Sequence, residues 1–166
     1  MKKSLLNRIT LIFLLAFAFG CAGPQTAVNA SSHQVKAADY ARPGFVTKVE
    51  DGRLWVFIPG SKELANFEKH GELAKHVIRP AAGPNRITVK GPDTNTVDAY
   101  LLAKPGFITR IEDGRLWVFK VDSKELEKFE KHGELAKHVI RPAAGPKRMT
   151  LKAPDAETVD AYLAAK

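Results

Sequence analysis

Residues 43–104 recur as residues 105–166 at a constant offset of 62, without a gap, and 47 of the 62 aligned positions are identical. GFVTKVEDGRLWVF becomes GFITRIEDGRLWVF, and FEKHGELAKHVIRPAAGP returns unchanged. A period this clean sets the architecture first: two copies of one supersecondary unit, each unable to bury much on its own. A single 62-residue copy would be marginal, whereas about 124 residues can build a sizeable core. The expectation is that the two copies cooperate, each shielding the other's apolar centre.

The unit reads as ββαββα. Phe45 to Glu50 and Arg53 to Phe57 flank Asp51-Gly52, the strongest short hairpin signal, because a type I′ turn needs positive φ at both central residues. Ser61 stands at an N-cap position, Leu64 and Phe67 form an apolar stripe, and Gly71 is a stop, so 61–70 reads as a helix. A second hairpin pairs 75–79 with 86–90, with Val77, Ile87 and Val89 inward and Arg79, Arg86 and Lys90 in water. Asp93 then caps a second helix whose buried face holds Val97, Tyr100 and Leu101. The fold class is α+β: a tandem duplication of a ββαββα unit of 62 residues, with antiparallel sheets and short helices packed on one side. Arg53-Leu54-Trp55-Val56-Phe57 is apolar on both faces, which marks a central strand. It reads as covered by the helices on one face and by its twin or a partner on the other, making Trp55 and Trp117 core or seam residues.

The chain divides into a signal at 1–20, a tether at 21–42, and the repeats 43–104 and 105–166. Lys2, Lys3 and Arg8 precede an apolar stretch from Ile9 to Phe19, the pattern of an export signal. That stretch is shorter than the roughly 20 residues that span a bilayer. Ala18-Phe19-Gly20-Cys21 then resembles the lipobox of bacterial lipoproteins. The resemblance implies cleavage before Cys21, a diacylglycerol on its thiol, and a protein held on a membrane through that lipid. With Ala22 and not Asp next, it also implies the outer membrane over a soluble periplasmic state. A cut after Ala30, discarding Cys21, is the alternative. The segment from 22 to 41 is rich in Ala, Gly, Ser, Gln and Asn and has no apolar period, as a tether would.

Charge adds an exclusion. The formal charge of +8 falls to +5 without Lys2, Lys3 and Arg8, and each repeat carries only two more basic than acidic residues. Mixed runs such as KELEKFEKHGE mark solvated helix faces, so nucleic acid is not an expected partner. With one cysteine in the chain, stability in an oxidising compartment rests on burial alone.

Candidate chemistry is sparse. His70 and His76, repeated as His132 and His138, could bring four imidazoles together for copper, zinc or haem iron. A six-residue spacing suits neither one helix face nor one strand face, and an imidazole in a helix's last turn has a simpler role with the terminal carbonyls. Thioether-bound haem is ruled out without Cys-x-x-Cys-His. No cofactor is therefore expected, with a metal or haem carrier as the alternative. Ser61, Ser123, Asp93 and Asp155 read as caps, and Glu50-Asp51 as turn residues. No nucleophile elbow, phosphate-cradling loop or His-Glu-x-x-His is present. The basic set Lys75, His76, Arg79 and Arg86, with Lys90 beside it, has the twin Lys137, His138, Arg141, Arg148 and Lys152. Gathered on one wet face, it could meet an anionic envelope component or an acidic protein. The function expected is a non-catalytic binding or structural module of the bacterial cell envelope.

Overall fold

The computed structural model describes residues 37–166; the signal, Cys21, His33 and most of the tether lie outside the described residues. Each repeat folds as the sequence pattern indicates. In repeat 1, strands β1 (Val46–Glu50) and β2 (Arg53–Phe57) precede helix α1 (Lys62–His70), and β3 (Val77–Arg79) and β4 (Thr88–Gly91) precede α2 (Thr94–Leu102). Repeat 2 gives β5 (Phe107–Glu112), β6 (Arg115–Lys120), α3 (Lys124–His132), β7 (Val139–Arg141), β8 (Leu151–Ala153) and α4 (Ala156–Ala164). This is an α+β fold of two four-stranded sheets, ordered β1-β2-β4-β3 and β5-β6-β8-β7.

Local chemistry sets the boundaries. Asp51 and Gly52 have φ of 49° and 68°, the double positive φ of the tight turn, and Asp113 and Gly114 repeat it. Ser61 accepts from the amide of Leu64, and Asp93 from that of Thr96, each satisfying a helix donor that otherwise has no partner. Gly71, at φ 82°, closes α1 by donating to the carbonyl of Phe67.

Four expectations need correction. The sheets are not purely antiparallel. β1–β2 and β3–β4 are, but the central pair β2–β4 is parallel, Leu54 opposite Val89 and Trp55 opposite Lys90. The path through α1 and β3 supplies the long crossover that a parallel pair requires. Nor do the helices share one side. Leu54 and Val56 of β2 pack with Val89, Val97 and Tyr100 under α2, while Trp55 and Phe57 pack with Leu64, Phe67 and Leu73 under α1. Alternate residues of a strand point to opposite faces, so each sheet lies between its own two helices. The doubly apolar strand is thus covered within its own repeat and does not need its twin. Trp55 and Trp117 are core residues, each 2% exposed. The same sandwich leaves no wet face for Lys90, read as solvated, and buries it at 3% exposure; Lys152 follows it.

The repeats meet head to tail. α2 packs against β5, and α4 makes no comparable contact with β1. The hydroxyl of Thr109 donates to the carbonyl of Ala99 at 2.7 Å. Arg110 lies 5.4 Å from the ring of Phe45 and reaches Glu130 at 2.7 Å. Such a contact uses different surfaces on its two sides, so it leaves one copy of each surface free of it. Two of the differing positions follow that polarity: Ile58 and Asn95 line the seam, whereas their twins Lys120 and Glu157 form an exposed ion pair at 2.7 Å. No helix among the described residues is long and apolar enough to cross a membrane.

The stretch read as tether ends in structure. Ala37–Tyr40 forms a 3-10 turn, and Tyr40 is buried against α2.

Candidate functional site

The histidines do not converge. His70 and His132 are exposed in the last turns of α1 and α3. His76 is half-buried, its Nδ1 2.9 Å from the carbonyl of Leu73 and its ring 5.1 Å from that of Trp55. His138 repeats this against Leu135 and Trp117, at 2.8 Å and 5.0 Å. The imidazole thereby pins the loop after the helix to the core. Among the described residues no group of three or more His, Cys, Asp or Glu is placed to hold a metal ion.

The basic set is divided. Arg79 turns to α2 and makes a two-pronged pair with Asp98, at 3.1 Å and 3.3 Å, which raises its pKa further. Arg141 pairs with Asp160 at 3.2 Å. His76 and His138 lie toward the other face with the tryptophans. Lys75, Arg86, Lys137 and Arg148 remain exposed, with Arg86 and Arg148 held at φ 59° and 60° in the turns before β4 and β8.

Two features were not legible in the sequence. The first is a cleft of about 560 Å³ at the seam. Its walls come from both repeats: Ile58, Pro59 and Ser61 after β2, Asn95, Thr96 and Ala99 of α2, Arg110, Ile111 and Glu112 of β5, and Phe129 and Glu130 of α3. The head-to-tail docking creates it, because α2 covers the start of β5 and leaves space beyond. Arg110, buried and paired to Glu130, braces one wall.

The second is built around the buried lysine and occurs in each repeat. Lys90 Nζ sits 4.3 Å from the Trp55 ring centroid and 2.5 Å from Glu72 Oε1. Lys152 sits 4.6 Å from that of Trp117 and 2.6 Å from Glu134. The hydrogen bond from Lys90, and then its charge, hold the Glu72 carboxyl below its ordinary range; Lys152 does the same to Glu134. A concavity of about 260 Å³ opens beside Lys90, with Glu50, Asp51, Arg53 and His70 on its rim. The only sequence signal was a lysine in a run of strand-forming residues, which reads equally well as a wet position.

No family model, curated protein or solved structure matches this chain.

The functional reading therefore rests on geometry. Ser61 and Ser123, the serines of the described part, are engaged as helix caps. Asp93 and Asp155 accept from both the amide and the hydroxyl of Thr96 and Thr158. The described surface offers one cleft shared by the repeats, a buried lysine against a tryptophan in each repeat, and a concavity beside Lys90.

Proposed function

We propose that this protein is a non-catalytic binding module of the bacterial cell envelope, exported by residues 1–20, carried on a lipid at Cys21 on the outer membrane, and holding its partner in the cleft between the repeats. The observation that supports this reading is the cleft itself. It is concave, is walled by both copies, and mixes apolar side chains (Ile58, Ile111, Phe129) with a few convergent polar ones (Asn95, Thr96, Arg110), the usual make-up of a recognition site. Arg110 is occupied by Glu130, and Asp93 and Glu112 add negative charge, so the cleft favours neutral or cationic groups over anions. An anionic envelope component would instead use the exposed Lys75, Arg86, Lys137 and Arg148.

Titration of the isotope-labelled domain with uncharged N-acetylglucosamine oligomers, a neutral envelope-type glycan, tests the cleft. Saturable amide shifts confined to Asn95, Thr96, Arg110 and Ile111 are expected; shifts elsewhere, or none, remove the reading. Mass spectrometry of the protein from its own membrane tests the anchor. A diacylglyceryl group on Cys21 is expected, and a free amine at Ser31 overturns it.

A further inference from the structure

We propose that each repeat carries a binding site of its own, separate from the seam, in which the ammonium of Lys90, or of Lys152, receives the carboxylate of a small amino-acid-like zwitterion in place of Glu72 or Glu134.

The first argument is energetic. Lys90 is 3% exposed on a central strand, inside an aromatic cluster where an apolar side chain would pack at no electrostatic cost. Burying an ammonium is costly, and replacing a buried ion pair by packed apolar groups is often neutral or stabilising. A charge kept against that gradient marks a place where local rules yield to use.

The second is the nature of its partner. The Glu72 side chain is 62% exposed, and the Glu134 side chain 61%. Each follows a glycine at positive φ, Gly71 at 82° and Gly133 at 76°. Glu72 can swing into water without opening the core, and the buried ammonium then faces the concavity. The carboxylate now on Lys90 is an internal occupant of the position that a ligand carboxylate would take.

The third is charge. With Glu72 displaced, the concavity presents Lys90 and Arg53 against Glu50 and Asp51, with the indole of Trp55 behind. Arg53 lies close enough to Glu72 to act on its carboxyl. Two cations and two carboxylates complement a ligand that bears one group of each sign, and a volume of about 260 Å³ suits an amino acid or dipeptide. Glu112, Asp113, Arg115, Trp117, Glu134 and Lys152 repeat the set in the second copy.

Trp55 and Trp117 are the chain's two tryptophans, so intrinsic fluorescence reports both sites. The probe is the dipeptide Ala-Ala, with acetate and methylammonium as its separated halves. Expected are a saturable fluorescence change with Ala-Ala, two equivalents by calorimetry, and halves that bind roughly tenfold or more weakly. Lys90→Met with Lys152→Met should abolish binding while leaving the melting temperature unchanged or higher. Glu72→Gln with Glu134→Gln should tighten binding about fivefold, since the internal competitor is lost. No response to Ala-Ala, acetate binding as well as the dipeptide, or unchanged affinity in the lysine variant overturns the proposal. If the lysine variant does not fold, the glutamine variant decides: unchanged or weaker affinity overturns it.

Discussion

The hydroxyl of Tyr100 donates to the carbonyl of Tyr40 at 2.9 Å, and 62 residues later the hydroxyl of Tyr162 donates to the carbonyl of Leu102 at 2.8 Å. Leu102 ends α2, whereas Tyr40 ends a single 3-10 turn. The segment before Pro43 therefore stands on repeat 1 where the end of α2 stands on repeat 2. Structurally, each unit begins about one turn before its Pro-Gly-Phe, not at the border that sequence identity marks.

That shift sets where the second half can be cut. Residues 99–166 keep the carbonyls of Ala99 and Leu102, the partners of Thr109 and Tyr162; residues 105–166 lose both. Each sheet carries its own two-sided core, so both fragments should fold. The longer one should be more stable by about 1–3 kcal/mol, at roughly 1 kcal/mol for each buried hydrogen bond. Urea denaturation of the two fragments measures the difference, and equal midpoints would contradict the shifted unit.

The same bonds predict behaviour in alkali. Burial pushes both Tyr100 and Tyr162 up to about 12, from an ordinary 10. A pKa raised by folding gives stability that is complete below 10 and is lost as pH rises through about 12. Absorbance titration should show Tyr100 and Tyr162 ionising late. Tyr100→Phe should cost about 1 kcal/mol, because the carbonyl of Tyr40 loses its donor.

Gly44 and Gly106 separate backbone strain from seam contact. Both have positive φ, 78° and 82°. A Cβ on Gly44 would come within 2.5 Å of Ile108 Cγ2, while one on Gly106 meets nothing within 4 Å. Gly106→Ala should cost about 1 kcal/mol in strain. Gly44→Ala should cost about 1–3 kcal/mol more. Ile108→Ala, which removes the Cγ2 and Cγ1 that the new Cβ would meet, should therefore cost less in the Gly44→Ala background than alone. Thermal unfolding of the single and double variants decides.

Acid should weaken the fold through Glu72 and Glu134. Lys90 and Lys152 hold these carboxyls below their ordinary 4.5, so the unfolded chain takes up protons first as pH falls. The stability they contribute is present above 4.5 and is lost as pH drops through their folded values. Urea midpoints followed from about pH 6 to about pH 3 should decline less steeply in Glu72→Gln with Glu134→Gln. An identical slope would mean that neither ion pair matters to folding.

The tether bears on the same point about locality. Nothing in the composition of 22–41 set Tyr40 apart, because a lone tyrosine in a polar segment has no period to reveal its burial. Its role comes from Tyr100, sixty residues away. The exposed lysines and arginines of the basic set were legible as residues but not as a group, since a strand sends Arg79 and its neighbours to opposite faces.

The order of letters alone determined whatever a few adjacent residues decide: the duplication, the Asp-Gly turns, the serine and aspartate caps, and the apolar β2 ribbon. Each follows from backbone sterics or a hydrogen bond spanning three or four positions. Only the tertiary structure decided that α1 and α2 take opposite faces of a sheet, that β2 and β4 run parallel, that Lys90 is enclosed beneath Glu72, and that α2 docks on β5 to open a cleft. Those outcomes depend on which distant surfaces meet, and alternation along a strand assigns a side without saying what will cover it.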